Sequence, residues 1–324
     1  MPLILAIIGL TFALSAFTQP TTGHATAIPT AAWSAEVVNT NAVPQRALVV
    51  KAWYPLSETD KRWPLLLLAP GRGMPSLAYA RVSQYLASHG FVVVGIDSPG
   101  SGRQSFADGR VVPPDPALKP PPGLMAGPYI EVDRFFANAA KAGASDLVYV
   151  LDLIAAAEAE KSIPFAGRVD TDKVGLLGHS LGGRIAGAFA ARDSRAAAWI
   201  GIEGLAPRAA RRQGLGIPAM AILSEGVWPY AIENVREMAW CTRNPTYFVK
   251  MVDIEHNTIA DSDAAEATSI IPENQLRLAT MIREFLDYHM ANPNTVLDDW
   301  PAGTFVERHD RPSDDRPTDY VCND

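Results

Sequence analysis

Short apolar runs alternate along the chain with segments whose apolar residues recur at helical spacing. The runs at 47–54, 63–69 and 91–96 are typical of strands, and the uninterrupted run at 63–69 is typical of a strand buried on both faces. Residues 76–89 carry apolar side chains mostly on one helical face. A strand, a helix and a strand in this order predict a right-handed parallel crossover.

The same alternation continues through the second half of the chain. We expect a helix from Ser145, as its N-cap, to about Lys161, a helix directly after Ser180, and a closing helix over 274–290. Regular alternation of strands and helices predicts one α/β domain with a mostly parallel sheet and helices on both faces. The further predicted strands are 173–178, 196–202, 217–223 and 247–252.

Three segments fall outside this pattern. Residues 1–25 begin with an apolar stretch free of charged side chains and continue with small and polar residues, which is typical of a secretory signal peptide. A membrane anchor is the alternative, although the apolar stretch is short for a span. The proline-rich residues 101–142 are expected to form an insertion, with a lid and an interfacial surface as its two candidate roles. Residues 292–324 are polar and are expected to be a surface tail, which leaves 26–291 as the domain.

The charge of the chain narrows the choice of partner. The formal net charge is −7, and acidic and basic residues are interspersed, so no basic stripe is available to neutralise phosphates. This argues against nucleic acid as a partner. Hydrophobic residues make up 48% of the chain, which is enough for a sizeable core. We therefore expect a globular protein with a sizeable core. The prediction includes no cofactor.

The chain has two cysteines, Cys241 and Cys322. In an oxidising compartment, a single disulfide between them is the simplest expectation. Two free thiols are the alternative. Neither cysteine has a histidine at ligand spacing, so the sequence offers no zinc site.

One segment points directly to chemistry. Gly178, Ser180 and Gly182 form a Gly-x-Ser-x-Gly motif between an apolar strand and a small-residue helix. That is the context of a nucleophile elbow, in which the turn is too tight for bulky neighbours and the serine hydroxyl projects above the sheet. The alternative is an ordinary glycine-rich turn. We take Ser180 as the candidate nucleophile.

A serine hydroxyl needs a base, and in enzymes with this elbow the base follows the nucleophile and the acid in the chain. Three histidines follow Ser180. His256 lies in the loop after the last predicted strand, where the base is expected. His289 ends the closing helix and His309 lies in the polar tail, so we expect both to be surface residues.

The acid that orients the histidine has three candidates. Glu203 and Glu225 each follow an apolar strand, so both are expected at the carboxyl edge of the sheet. Asp253 is the third candidate, but it is very close in sequence to His256. The residues alone leave this choice open.

An oxyanion hole requires two backbone N–H groups aimed at the developing charge. Leu181, directly after the nucleophile, is expected to supply one of them. The loop after the strand at 63–69 is expected to supply the other, and we predict the N–H of Arg72, because the flanking glycines allow close approach to a ligand.

Residues 178–183, 201–203, 224–226 and 256–261 resemble motifs of the plasma-type platelet-activating-factor acetylhydrolases, which are serine esterases related to dienelactone hydrolases. The similarity covers roughly residues 60–290. It implies an α/β-hydrolase fold, no calcium requirement, and an acid on the strand directly after the nucleophile helix. That position carries Glu203, which the resemblance therefore favours over Glu225.

Two departures from the family pattern stand out. The family usually has Asp where this chain has Glu203, and it usually has His where this chain has Pro70. Because the oxyanion hole is built from backbone, we expect it to survive the second change. Substrate preference need not be shared with the family.

The resemblance implies a secreted serine carboxylic-ester hydrolase that acts on short-acyl or lipid-like esters. Trp228 and Tyr230 are candidates for the acyl pocket, and Phe135 and Phe136 are candidates for contact with a lipid surface. A polyester hydrolase, lactonase, peptidase or acyltransferase with the same triad is the alternative. A non-catalytic binding protein of this fold is a further alternative, although the chain keeps every candidate catalytic residue.

Overall fold

The computed structural model describes residues 10–12, 27–57, 61–224, 226, 229–261, 271–292, 297, 300–310, 316, 318, 321 and 322. For residues 10–12 and 229–233, it describes the backbone alone. The predicted signal peptide therefore lies almost entirely outside the described residues, and so do Glu225 and Trp228.

A ten-stranded sheet runs through the described part of the molecule, in the order β1-β2-β3-β5-β4-β8-β9-β10-β11-β12. The six strands from β5 to β11 in this order are mutually parallel, and antiparallel strands flank them on both sides. A separate two-stranded ribbon pairs β6 with β7. The strands are β1 (Leu10–Phe12), β2 (Thr30–Asn39), β3 (Arg46–Pro55), β4 (Trp63–Ala69), β5 (Val92–Asp97), β6 (Gln104–Ser105), β7 (Val111–Val112), β8 (Val169–His179), β9 (Ala196–Ile202), β10 (Ala219–Ser224), β11 (Thr246–Met251) and β12 (Thr304–His309).

Helices cover both faces of the sheet, as the alternating pattern predicts. In β4, Leu65 and Leu67 pack into one buried cluster, whereas Leu66 and Leu68 pack into the other. Successive side chains of a strand point to opposite faces, so an uninterrupted apolar run supplies both cores. The helices are α1 (Ala80–Ser88), α2 (Tyr129–Glu160), α3 (Leu181–Ala190), α4 (Arg208–Gln213), α5 (Pro229–Cys241) and α6 (Glu273–Leu286), the last of which continues as a π-helical turn over Asp287–Ala291.

The predicted start of the second long helix at Ser145 is wrong. Helix α2 begins at Tyr129, directly after Pro128, and Ser145 lies inside it. The Ser145 hydroxyl donates to the Lys141 carbonyl, 3.1 Å away, and does not cap a helix end. The last part of the proline-rich insertion is therefore helical and packs on the sheet.

The polar tail contributes a strand. Residues of β12 pair antiparallel with β11, and Val306 lies opposite Val249. Its side chains alternate in exposure and Phe305 is largely exposed, as suits an edge strand. The predicted disulfide is present and joins Cys241, the last residue of α5, to Cys322. None of the helices in the described ranges is both long and apolar enough to cross a bilayer.

Candidate active site

Ser180 lies at a sharp turn between β8 and α3. Its backbone has φ 54° and ψ −117°, which is a costly conformation for a residue with a side chain. A Cβ atom at Gly182 would lie 1.9 Å from the Ala69 carbonyl oxygen, and one at Gly178 would lie 2.3 Å from the Gly182 carbonyl oxygen. The two glycines of the motif are therefore required for the close packing that holds Ser180 in this turn.

The loops at the carboxyl ends of β9 and β11 bring a carboxylate and an imidazole together. Glu203 follows β9 directly, and His256 lies in the loop after β11. The distance from His256 Nδ1 to Glu203 Oε2 is 3.4 Å. The Glu203 side chain is only 3% exposed, whereas the His256 side chain is 44% exposed. The imidazole thus directs one nitrogen at a buried carboxylate and leaves the other accessible.

The environment of Glu203 favours its charged form. Burial raises the pKa of this carboxyl group, but hydrogen bonds from His256 and from the Ser224 backbone amide outweigh burial, so the net pKa lies below the ordinary value. The Glu203 amide also donates to the Ile222 carbonyl, 2.9 Å away, which ties the residue to β10. An ionised carboxylate beside Nδ1 can fix the tautomer of His256 and stabilise its protonated form.

The remaining acid and base candidates lie elsewhere or have other partners. Asp253 is exposed and forms no ion pair with His256 among the described residues. His289 Nε2 lies 3.1 Å from the Tyr247 hydroxyl, and burial lowers the pKa of His289 to about 4. His309 pairs with Glu307 on the edge strand. His289, which we expected at the surface, is half-buried, and its ring packs against the buried Phe285.

The predicted oxyanion donors occupy consistent positions. Leu181 is the first residue of α3, and Arg72 follows β4. The Gly71 amide donates to the Tyr79 hydroxyl and the Gly73 amide donates to the Ser101 carbonyl, each at 2.8 Å. Within the described part of the chain, the Arg72 amide between them has no hydrogen-bond acceptor, so it remains available to a ligand.

The five residues that we predict to carry out the chemistry all line one cavity of about 550 Å³. The structure does not bring every pair into contact. The Ser180 hydroxyl makes no hydrogen bond to any described residue, so the serine–histidine contact is open in this state. Such contacts are often long without substrate and tighten on binding. The five predicted residues that line the cavity are Arg72, Ser180, Leu181, Glu203 and His256.

The insertion and α2 supply one wall of this cavity. Pro120, Met125, Tyr129 and Phe136 line it, so the segment predicted as a lid borders the site, and its action as a lid stays a prediction. Phe136 is buried and its ring packs edge-on against that of the half-buried Phe135. Burial therefore argues against Phe136 as a lipid-contacting residue, whereas lipid contact by Phe135 stays a prediction. The predicted pocket residues Trp228 and Tyr230 cannot be placed, since Trp228 and the Tyr230 side chain lie outside the described residues.

The side chains of His179 and Tyr79 adjoin the site but have no role in the sequence-based prediction. His179 Nδ1 lies 2.8 Å from the Tyr79 hydroxyl, and His179 Nε2 lies 2.7 Å from the His256 carbonyl oxygen. His179 is part of the elbow motif, but no sequence spacing connects it to Tyr79, which lies 100 residues earlier. In the ranges that the structure describes, no group of three or more His, Cys, Asp or Glu side chains is arranged to hold a metal ion.

Comparisons with known proteins agree with this architecture. The profile of the Alpha/beta hydrolase family matches residues 66–320. No curated protein matches the chain at a significant level. Among solved structures, a ferulic acid esterase from Streptomyces cinnamoneus has a similar fold, with a TM-score of 0.64 and 20% sequence identity over 90% of this chain and 98% of that chain. At this identity, the likeness concerns the fold alone.

Proposed function

We propose that this chain, which belongs to the alpha/beta hydrolase family, is a serine carboxylic-ester hydrolase with Ser180 as its nucleophile. The observation that carries the proposal is the position of Ser180. It is held in a strained turn and lines a cavity that His256 also lines, and His256 Nδ1 faces the buried carboxylate of Glu203. One cavity thus brings together the nucleophile, the base and the acid that an activated serine needs.

The proposed reaction proceeds through an acyl-enzyme. Ser180 Oγ attacks the ester carbonyl carbon while His256 Nε2 takes the hydroxyl proton. The imidazolium then gives that proton to the departing alkoxide, and the alcohol leaves. A water molecule attacks the acyl-enzyme, with His256 again accepting and returning the proton, so serine is regenerated and a carboxylic acid is released. Glu203 stays ionised and stabilises the imidazolium.

The backbone amides of Leu181 and Arg72 are proposed to hold the oxyanion of both tetrahedral intermediates. Leu181 has the free N–H of a helix start, and the Arg72 N–H is left over when its neighbours on both sides are bonded within the protein. Donors that are fixed before the reaction stabilise developing charge without reorganisation, and the loss of one such donor costs about 10²–10³-fold in kcat.

For the substrate, we propose short-acyl or lipid-like esters. The resemblance to platelet-activating-factor acetylhydrolases supports this class, and so do the apolar side chains of Leu205, Leu223 and Ile254 in the cavity wall. We also propose a secreted or extracytoplasmic location. The apolar, uncharged start of the chain supports it, together with the disulfide, because such bonds persist mainly in oxidising compartments.

Labelling with a fluorophosphonate tests the proposed nucleophile. We expect one adduct by intact mass, on the peptide that contains Ser180, and rapid hydrolysis of p-nitrophenyl acetate. Ser180→Ala should lose both, whereas the exposed Ser194→Ala should keep both. Hydrolysis retained in Ser180→Ala, or an adduct on another residue, would overturn the assignment.

A series of esters tests the substrate class separately. The panel comprises p-nitrophenyl esters of increasing acyl length, a phosphatidylcholine with a short second acyl chain, and a feruloyl ester. We expect kcat/KM to fall as the acyl chain lengthens. Preference for the feruloyl ester or for long chains would reject the short-acyl proposal while leaving the serine mechanism intact.

A further inference from the structure

His179, the residue directly before the candidate nucleophile, is almost completely buried and has both ring nitrogens in hydrogen bonds. Burial and the neighbouring His256 lower the pKa of His179 to about 3, so the ring is neutral at any working pH. A neutral ring with no free nitrogen cannot exchange protons with a substrate. Its place in the elbow motif therefore calls for another explanation.

The direction of every hydrogen bond around His179 follows from the donors and acceptors present. The His256 carbonyl oxygen can only accept, so His179 Nε2 must carry the proton. In a neutral imidazole, Nδ1 is then an acceptor, and the Tyr79 hydroxyl donates to it across 2.8 Å. The Met74 sulfur is a weaker and more distant acceptor, at 3.3 Å from the same hydroxyl. Burial raises the pKa of Tyr79, so its hydroxyl keeps the proton.

The Tyr79 oxygen in turn accepts the Gly71 N–H at 2.8 Å. A continuous chain thus runs from the Gly71 amide through Tyr79 and His179 to the His256 carbonyl. Each member is satisfied and each bond has one direction, which is the condition under which a buried polar network fixes a single geometry. The loop after β4 also packs closely against the His179 ring, since a Cβ atom at Gly71 would lie 2.7 Å from His179 Nδ1.

The two ends of this hydrogen-bonded series lie in two loops whose positions around Ser180 matter for the proposed reaction. Gly71 precedes Arg72, the proposed oxyanion donor, and its own amide is consumed by Tyr79. His256 is the proposed base, and its backbone carbonyl is the terminal acceptor. The loop that carries His256 is also tied to the segment after β4 at Asp261, whose amide donates to the Ala78 carbonyl and whose carboxylate pairs with Arg81. Among the described hydrogen bonds, the one from His179 is the one that ends on the His256 backbone itself.

We propose that His179 and Tyr79 are positioning residues that fix the His256 loop and the Arg72 amide relative to each other, on either side of Ser180. This inference rests on the proposed function, because the two positions matter for catalysis only if Ser180 is the nucleophile. Neither side chain touches the substrate. Their effect is on kcat rather than on substrate binding, because a small misplacement of the base or of an oxyanion donor weakens interactions made in the transition state.

Three variants separate the bonds of the network. Tyr79→Phe removes the hydroxyl and keeps the ring. His179→Gln keeps a donor in reach of the His256 carbonyl, because the Gln amide nitrogen occupies a position similar to Nε2, but it loses the acceptor for Tyr79. His179→Phe removes both bonds. Tyr149→Phe is the matched control, since it removes another buried tyrosine hydroxyl, bonded at 2.7 Å to the Val38 carbonyl and outside the cavity.

We expect Tyr79→Phe to lower kcat for p-nitrophenyl acetate roughly 10- to 100-fold with little change in KM. His179→Phe should lower kcat further, and His179→Gln should recover part of that loss. Tyr149→Phe should lower the melting temperature to a similar extent as Tyr79→Phe with kcat unchanged. Wild-type kcat in Tyr79→Phe, or the same kcat loss in Tyr149→Phe, would overturn the proposal.

Hydrogen exchange of the peptide over residues 252–258 gives a readout independent of activity. It should be faster in Tyr79→Phe and His179→Phe than in the wild type and in Tyr149→Phe. Unchanged exchange would show that the network does not hold this loop. If the wild type fails to react with the fluorophosphonate, the proposed function falls, and the exchange result still decides whether the network positions the loop.

Discussion

At the scale of single residues, the length of one carboxylate side chain shapes the site. Glu203 leaves β9 with a positive φ of 51°, and its two oxygens reach in different directions, one to the Ser224 amide and one to His256 Nδ1. An aspartate at the same backbone position would be one methylene shorter. The extra reach of Glu203 thus lets one buried side chain bind to β10 and orient the imidazole.

Substitution of Glu203 should separate these two tasks. Glu203→Gln removes the charge that stabilises the imidazolium, so we expect kcat to fall by about 10³–10⁴-fold with KM nearly unchanged. Glu203→Asp keeps the charge but shortens the reach, and should lose less. Steady-state kinetics on p-nitrophenyl acetate measures both.

Two further variants complete that comparison. Glu160→Gln, at an exposed helix end, removes one charge far from the site and should have wild-type kinetics. Glu225→Gln addresses the acid candidate that the sequence left open. A larger loss of kcat in Glu225→Gln than in Glu203→Gln would reverse the choice of acid.

At the scale of elements, a buried carboxyl group anchors the segment after the oxyanion loop. Asp97 is the last residue of β5 and is fully buried, and its Oδ1 accepts the Ser76 amide. Burial raises the pKa of Asp97 to about 7, against the partial opposition of Ser76 and Lys51. The end of one parallel strand thereby fixes the start of the helical segment that follows its neighbour β4.

The raised pKa makes Asp97 a source of pH-dependent stability. The folded protein binds the proton more tightly than the unfolded chain, whose aspartate has the ordinary pKa of 3.8. The contribution of this group to the free energy of unfolding therefore falls as the pH rises from 3.8 to about 7. A pKa difference of this size between the folded and the unfolded chain corresponds to about 4 kcal/mol of unfolding free energy. An asparagine in place of Asp97 has no such dependence on pH, and a buried side-chain amide without a hydrogen-bond partner costs only roughly 1–3 kcal/mol.

We accordingly expect Asp97→Asn to raise the free energy of unfolding by about 1–3 kcal/mol near pH 8. The gain should be smaller near pH 5, where Asp97 is protonated in the folded protein. Urea denaturation at both pH values measures it. The exposed Asp172→Asn is the control and should change neither value. Equal effects at the two pH values would contradict the assigned pKa shift.

The elements also show what the sequence could predict. Uninterrupted apolar runs such as β4 and β5 identify the parallel strands, and the family match confirms the predicted α/β-hydrolase fold. The sequence predicts the start of α2 too late, because the first turns of this helix carry charges and follow prolines. The sequence does not predict strand β12 (Thr304–His309), because an edge strand with one solvent-facing side has a polar sequence.

Part of the candidate site, like part of the fold, can be predicted from the sequence, and part of it cannot. Ser180 and His256 follow from local motifs, since the elbow and the loop after the last parallel strand are defined by nearby residues. The link from Tyr79 through His179 to the His256 carbonyl depends on contacts between residues about 80 to 100 positions apart, and no local pattern encodes it.

At the scale of the whole molecule, the carboxyl-terminal segment closes the part of the chain that carries His256. The disulfide between Cys241 and Cys322 spans 81 residues, and that loop contains β11, the His256 loop, α6 and β12. Arg212 reinforces the closure by donating to the Val321 carbonyl at 2.9 Å. The segment predicted as a tail is therefore bound to the domain by a strand, a disulfide and a hydrogen bond.

Removing the disulfide should destabilise the fold without altering the chemistry. A cross-link that closes a loop of this length lowers the entropy of the unfolded chain by an amount worth about 4 kcal/mol, which is a large part of the roughly 5–15 kcal/mol by which a domain is stable. We expect the double variant Cys241→Ser/Cys322→Ser to lose about 3–4 kcal/mol of unfolding free energy in urea. Its kcat at 25 °C should remain that of the wild type, because neither cysteine lines the cavity that contains Ser180.

Reduced and alkylated wild type is the matched control, and it should unfold at the same urea concentration as the double variant. An unchanged midpoint in both would mean that β12 pairing alone holds this segment. A fall in kcat with the midpoint preserved would mean instead that the disulfide acts on the position of His256. Because the loop it closes carries the proposed base, that second outcome would couple the covalent closure of the chain to the geometry of the site.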